Sequence, residues 1–485
     1  MNPPNLAQAS LFRNCNFYLG HWKDFSKMIP VYDPSSNQEI GSVPDLPAEE
    51  IRAAILFAEK EQRSWAKTLP KERAKYLRNW ANLMIQNRED LAKIMTWEQG
   101  KPLAESRGEI DYAASYLEWF AEEAKRTYGD IIPTHRKELR LLSWKEPIGV
   151  TGILTPWNFP SSMITRKVGP ALAAGCVVIS KPSELTPYSA IALAVLAQEA
   201  GLPPGVFQVV TGRPETIADE FLDNPGVKKI SFTGSTRVGK ILLEKSAKQI
   251  KRISLELGGN APFIVFADAN LKEAVKGAIA SKFRNTGQTC VCANRFLVEE
   301  KVADEFATML AEEVSKFKVG NGFEEGVNQG PLIHSAALHK VDSHVKDALQ
   351  KGGKLRIGGK PHSLGGSFYE PTVLTNVTED SLCFQEETFG PLAPIHSFKT
   401  EEEALRIANA TSVGLASYMY TNDPARIWRM TESIEAGMVA VNEGILSTEQ
   451  VPFGGVKESG IGREGSKYGI EEYQEIKYIC WGGQS

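Results

Sequence analysis

The segment Phe283-Arg-Asn-Thr-Gly-Gln-Thr-Cys-Val-Cys-Ala-Asn-Arg295 sets two cysteines in a polar stretch that contains glycine. A cysteine kept for packing sits among apolar neighbours. Cys290 instead follows Gly287, Gln288 and Thr289, with Arg284 six residues upstream. That setting suits a nucleophilic thiol, open to a substrate and ionised near neutral pH. Three other stretches could complete its chemistry. Leu154-Thr-Pro-Trp-Asn-Phe-Pro160 puts Asn158 in a loop between prolines, where an amide can donate to a developing oxyanion. Leu255-Glu-Leu-Gly-Gly-Asn260 puts Glu256 among apolar residues, which raise a carboxyl pKa into the range of a useful base. Glu386-Glu-Thr-Phe-Gly-Pro391 adds a second carboxylate and an aromatic ring.

Two further stretches could hold a dinucleotide, although no Gly-x-Gly-x-x-Gly fingerprint follows a strand. Ser231-Phe-Thr-Gly-Ser-Thr-Arg-Val-Gly239 joins an expected strand to an expected helix. Gly234 permits a tight turn there, and the free amides of the helix start could bind a pyrophosphate. The same residues also suit an ordinary helix cap. Ser180-Lys-Pro-Ser-Glu-Leu-Thr-Pro187 follows a strand of buried type and offers Lys181 and Glu184 to the hydroxyls of a ribose, or simply to each other as a surface salt bridge.

The elements that must position these residues read as α/β. Apolar residues at three-and-four spacing predict helices over 48–67, 71–100 and 107–128 (Ile51, Ala54, Ile55, Ala58; Tyr112, Tyr116, Trp119, Phe120), whose aromatics read as core. A strand is expected over 138–145. From Val150 onward strands (150–155, 177–181, 207–211, 229–233, 253–257) alternate with helices (161–174, 189–200, 215–222, 236–248), the pattern of a parallel sheet covered on both faces. A helix over 270–283 leads into the Cys290 segment. A second α/β block runs from Ala261 to about Asn442, with Gly258-Gly259 as the boundary. The tail 476–481 alternates like a strand and is expected to pair with another subunit.

Composition narrows the class. The chain has 485 residues, 42% hydrophobic and 24% charged, with a net charge of −4. That balance gives no electrostatic case for nucleic acid or an anionic membrane. No apolar run approaches the ~20 residues of a membrane span. The amino terminus shows neither signal- nor transit-peptide character, and the six scattered cysteines lack metal-ligand spacing, so no metal is expected and the expected setting is cytoplasmic.

Taken together, these motifs resemble the aldehyde dehydrogenase superfamily nearly end to end, through PFGGVKESGIGREG (Pro452 to Gly465). FRNTGQTCVCANR, WNFPSSMITRK, EETFGPLAP and REGSKYGIEEY are similar to its succinate-semialdehyde dehydrogenase branch. The resemblance implies a Rossmann-type NAD-binding domain (1–129 and 149–257) and an α/β catalytic domain (258–442). It further implies a β-strand oligomerisation arm (130–148 and 466–485) and a return segment lining the site (443–465). It implies Cys290 as nucleophile, Asn158 with the Cys290 backbone amide as oxyanion site, and Glu256 as the base that activates water. Lys181 and Glu184 would bind the adenosine ribose, Gly234 and Ser235 the pyrophosphate, and Glu387 the nicotinamide ribose, with Phe389 and Trp157 nearby. Thr155, Pro156, Ser183, Gly212, Phe232, Thr233, Val238 and Leu257 complete the implied cofactor site. Arg166, Arg284 and Ser447 would clamp the carboxylate of a semialdehyde. Glu184 repels a 2′-phosphate, so NAD is expected over NADP, with some NADP use through Lys181. Cys292 could bridge to Cys290 in a redox switch, or be a small buried residue. A homodimer or homotetramer is expected. Glutarate semialdehyde as substrate, a broader aldehyde dehydrogenase, and a hydrolytic or non-catalytic protein on the same fold remain open. A cysteine protease is disfavoured, because no histidine lies in a motif suggesting a base for Cys290.

Overall fold

The computed structural model describes residues 4–483; residues 1–3 of the expected first domain and 484–485 of the expected arm lie outside the described residues. Strands Phe207–Val209, Val178–Lys181, Val150–Leu154, Val227–Thr233 and Arg252–Glu256 lie side by side in that order and run parallel. Their near-continuous burial matches a sheet covered on both faces. Val150–Leu154 comes first in the chain, and later strands add on either side of it. The carboxyl ends of Val150–Leu154 and Val227–Thr233 therefore flank a topological switch point, where open α/β sheets bind ligands. Antiparallel strands extend both edges: Asn16–Tyr18 and His21–Lys23 on one, and Gly460–Ile461 on the other.

The chain crosses through residues 257–260 into a second sheet. Its order is Lys354–Ile357, Thr372–Thr375, Leu392–Phe398, Ala293–Glu299, Ala261–Val265, Ala416–Tyr420, Met438–Val441. Phe263, Val265, Phe296 and Val298 pack on one face, and Ile264 and Leu297 on the other, the period of two expected of strands buried on both sides.

The amino-terminal helical region differs in detail from expectation. Residues 71–100 form two helices, Pro70–Gln86 and Arg88–Gln99, broken at Asn87. Its side chain turns back to the Leu83 carbonyl, while Glu89 and Asp90 favour a new helix start. Helix Leu103–Glu123 then packs on Ser162–Ala174, every residue of which is buried. In the tail, Gln474–Trp481 pairs along its whole length with Arg140–Pro147 of the same chain, and Asp130–Ile132 completes a three-stranded arm. Eight in-register residue pairs hold one edge of the tail within the chain, and it forms an outer strand of that arm. The arm leaves Ile131, Trp144, Ile476 and Tyr478 exposed. Among the described residues no helix is long and apolar enough to cross a membrane.

Gly460 lets the return segment reach the first sheet. It pairs with Glu256 at φ +147°, and an added Cβ would lie 2.0 Å from the Leu255 carbonyl oxygen. Backbone cannot yield as a flexible side chain does, so Gly460→Ala is expected to lower unfolding free energy by about 1–3 kcal/mol in urea titration. An unchanged midpoint would show that this strand is not held against Glu256.

Candidate active site

Cys290 follows helix Leu271–Lys282 through a turn in which Asn285 (φ 51°) and Thr286 (φ 59°) adopt left-handed backbone. Such conformations persist where the surroundings over-determine them. Asn285 N–H donates to Glu105 Oε2 (2.7 Å), its Oδ1 accepts from Gln99 (3.0 Å), and its Nδ2 donates to the Asn158 carbonyl (2.9 Å). Thr286 donates to the Gly330 carbonyl, and Gln288 accepts from the Ile333 amide.

Two cavities open on either side of the sulfur, and Cys290 is the one residue lining both among the described residues. The first, about 270 Å³, carries Arg166, Arg284 and Ser447 against Phe159, Met163 and Phe453. The second, about 260 Å³, lies at the switch point and is lined by Trp157, Asn158, Gly234, Ser235, Glu387 and Phe389 among others. Burial pushes the Cys290 thiol up to about 12, against the pull of Arg166 and with Glu387 and Glu256 adding to the rise. The expectation of a thiol ionised at neutral pH is therefore corrected for the resting protein: desolvation outweighs the nearby cations.

Asn158 Nδ2 donates to the Gln288 carbonyl (3.0 Å), which ties the loop after Val150–Leu154 to the Cys290 segment and uses one of its two hydrogens. Glu256 ends strand Arg252–Glu256, paired with Thr233 on one side and Gly460 on the other. Its Oε2 is buried without a partner. Burial and neighbouring Glu464 raise its pKa well above the usual carboxyl range, although Arg166, Lys167 and Arg463 oppose this. It therefore holds its proton more tightly than an ordinary carboxyl.

The two arginines differ. Arg284 has no carboxylate partner among the described residues, only the Phe159 ring 5.2 Å away. Arg166, 2% exposed, is already engaged by Glu464 (Nε to Oε2, 2.8 Å) and stacks 3.8 Å over Phe453. Lys167 pairs with the other oxygen of Glu464. Burial would raise the Glu464 carboxyl, but Lys167 and Arg166 outweigh it and hold it ionised. Arg166 lines the first cavity with Arg284 and Ser447, as expected of a clamp, and Glu464 is its partner within the chain. Glu464 was not singled out by sequence, although it stands in the quoted GREG stretch; nor was Lys340, which lines the second cavity and donates to the Glu387 carbonyl. Ser447 lies in the first cavity as expected. Cys292 is buried, its thiol directed at the Lys282 carbonyl (3.2 Å), and both it and Cys290 are free.

The second cavity fits a dinucleotide. Thr155 and Thr233, at the ends of the two switch-point strands, hold buried hydroxyls without partners. An added Cβ at Gly234 would strike the Phe232 ring at 2.3 Å, so only glycine leaves this approach open. Ser235 caps helix Thr236–Ser246 by accepting from Val238 N–H, leaving the helix start facing the crevice. Pro156, Thr233 and Leu257 also line the cavity, and the Trp157 ring meets Phe389 edge-on at 5.6 Å. Lys181, which ends strand Val178–Lys181, does not line the cavity, nor do Thr155, Ser183, Glu184, Gly212, Phe232 and Val238. Lys181 and Glu184 are paired at 2.8 Å. Burial would raise the Glu184 carboxyl, and Lys181 overrides it to leave the group below its ordinary range. Burial pushes Glu387 up to about 7, moderated by the Gly259 N–H.

A sequence model of the aldehyde dehydrogenase family matches residues 22–479. The chain belongs to the aldehyde dehydrogenase family. It is 57% identical over 484 residues (99% of this chain, 92% of the relative) to the mitochondrial succinate-semialdehyde dehydrogenase of Rattus norvegicus. It is 55% identical over 480 residues (99% of each chain) to the glutarate-semialdehyde dehydrogenase of Pseudomonas aeruginosa. The crystal structure of an E. coli NADP-dependent enzyme superposes with a TM-score of 0.98 at 54% identity, covering 99% of this chain and 100% of the other. The rat relative overturns the cytoplasmic expectation: it is a mitochondrial protein. Few, scattered cysteines point to a reducing environment without distinguishing one such compartment from another.

The raised thiol pKa has a direct readout. Carboxamidomethylation of Cys290 in this aldehyde dehydrogenase, followed by peptide mass spectrometry, should accelerate about tenfold per pH unit from 7 to 10. A plateau below pH 9 would mean that the resting protein stabilises the thiolate.

Proposed function

We propose that the protein oxidises succinate semialdehyde to succinate with NAD(P) as hydride acceptor, Cys290 carrying the acyl group. The observation that supports this most is the sulfur standing between a cavity with an unpaired guanidinium and one that fits a dinucleotide. The rat relative acts on this semialdehyde by name, and the family match makes the chain an NAD(P)-dependent oxidoreductase.

Arg284 and Ser447 take the substrate carboxylate, a charge-assisted pair that aims the aldehyde at the sulfur. Arg166 and Lys167 against the single Glu464 leave the cluster net positive, which favours an anionic substrate and the thiolate. The Cys290 thiol gives up its proton to solvent water, the thiolate attacks the aldehyde carbon, and the second hydrogen of Asn158 Nδ2 with the Cys290 backbone N–H holds the oxyanion. Gly234, Ser235 and Glu387 would hold NAD(P), which would supply the hydride acceptor needed for the adduct to become a thioester. Glu256, once deprotonated, takes a proton from the water that hydrolyses the thioester. Residues 1–129 and 149–257 serve as the dinucleotide-binding domain, 258–442 as the catalytic domain, and 443–465 as the segment that closes the site. The exposed apolar arm (130–148 and 466–485) joins subunits in a homo-oligomer. The Pseudomonas relative favours a second reading, the five-carbon glutarate semialdehyde, which presents the same two end groups.

Absorbance gained at 340 nm with succinate semialdehyde tests the reaction, and Cys290→Ala should lower kcat on the order of 10³-fold or more. Arg284→Leu should lower kcat/KM for succinate semialdehyde about 10–100-fold while sparing an unbranched neutral aldehyde; equal loss on both counts against the grip. NAD should outperform NADP, and Glu184→Gln should narrow the gap; native preference for NADP would refute the reading of Glu184. Ile131→Glu with Ile476→Glu should shift the light-scattering mass toward the monomer.

A further inference from the structure

We infer that Lys101 is a positioning residue for Asn158, fixing the peptide from which the oxyanion-binding amide projects. The inference rests on the role proposed for Asn158 above. Lys101 lies in the break between helices Arg88–Gln99 and Leu103–Glu123, and lines neither cavity. Its side chain is wholly buried. The ammonium donates to the Asn158 backbone carbonyl at 2.7 Å and to Glu109 Oε2 at 2.6 Å, over the face of Phe159 at 4.1 Å.

The Asn158 carbonyl is thereby held by two donors, Lys101 Nζ and Asn285 Nδ2. Asn285 Nδ2 also approaches the Gln288 carbonyl (3.4 Å), which accepts from Asn158 Nδ2 (3.0 Å). These contacts close a ring through the backbone and side chain of Asn158 and the loop leading to Cys290. Gln99 and Glu105 anchor the Asn285 side of this ring to the amino-terminal helices, and Lys101 is the residue of those helices that holds the Asn158 peptide itself. The other oxygen of Glu109 accepts from Ser161 and Ser162 N–H, at the start of the helix that carries Arg166. One buried ion pair thus sets the Asn158 turn and the Arg166 helix in a common frame. A buried ammonium is costly to desolvate, and burial lowers the Lys101 pKa, so an apolar residue of similar volume would be the simpler filler. What an apolar residue lacks is the directed donor to the Asn158 carbonyl.

The test is a double-mutant cycle with Lys101→Met and Glu109→Gln made together, so that no carboxylate is left buried and unpaired. Removing the anchor displaces the amide through its peptide, and because Glu109 lines the first cavity the pair is compared with Glu109→Gln alone. The pair should therefore lower kcat about 30-fold, with KM for succinate semialdehyde and for NAD changed less than about twofold. In an Asn158→Ala background the same pair should change kcat less than about twofold, because the group being positioned is gone. Equal loss in both backgrounds, or unchanged kcat in the native background, would overturn the inference. The cycle is repeated on p-nitrophenyl acetate hydrolysis, in which an oxyanion forms beside Cys290 with neither semialdehyde nor NAD. A native protein that cleaves the ester but does not oxidise the semialdehyde refutes the substrate reading, and the ester cycle still decides on Lys101. A native protein inert to both refutes the oxyanion site and the inference with it.

Discussion

The Cys290 sulfur stands where two cavities meet, and desolvation of its thiolate is the constraint under which the rest of the site is built. Burial makes the thiol a poor acid, yet the same exclusion of water strengthens every dipole and charge aimed at the reacting centre. The surroundings are graded accordingly. Two cations against one carboxylate lie behind the sulfur, and Arg284 makes no salt bridge on the substrate side among the described residues. Substrate binding therefore begins from an uncharged nucleophile, with the positive field already in place.

The two sheets divide this work. The first supplies, from the carboxyl ends of adjacent parallel strands, the Asn158 loop, the Gly234 turn and Glu256, as its strand order dictates. The second delivers Cys290 at the start of strand Ala293–Glu299 and holds Glu387 against the crossing at Gly259. Neither sheet contains a site alone. The amino-terminal helices act as the jig between them, since Gln99, Lys101, Glu105 and Glu109 reach both the Asn158 loop and the Cys290 turn.

Much of this was legible in sequence. Strand–helix alternation gave the first parallel sheet within a residue or two, because strands buried on both faces read as short apolar runs. The site motifs were legible because each is local: a glycine turn, a proline-flanked asparagine, a carboxylate on an apolar strand. What escaped was non-local. Arg166 and Glu464 are separated by 298 residues, so nothing in either neighbourhood announced that one would neutralise the other. Lys101 sat between helices whose aromatics read as core, and its target lies 57 residues on. The edge strands Asn16–Tyr18 and His21–Lys23, three residues each, are too short to show a period, and alternation in the tail could not reveal that its partner lay in the same chain. The thiol pKa was misjudged for a related reason: polar neighbours in sequence are not solvent in space.

The pairing of Glu464 with Arg166 and Lys167 also orders events in time. During synthesis the two cations emerge about 300 residues before the carboxylate that balances them, and strand Gly460–Ile461 can flank Glu256 only when nearly all of the chain is out. Until then the two cations beside the sulfur lack the carboxylate that balances them. Assembly of the reactive centre is thus deferred to the last few dozen residues.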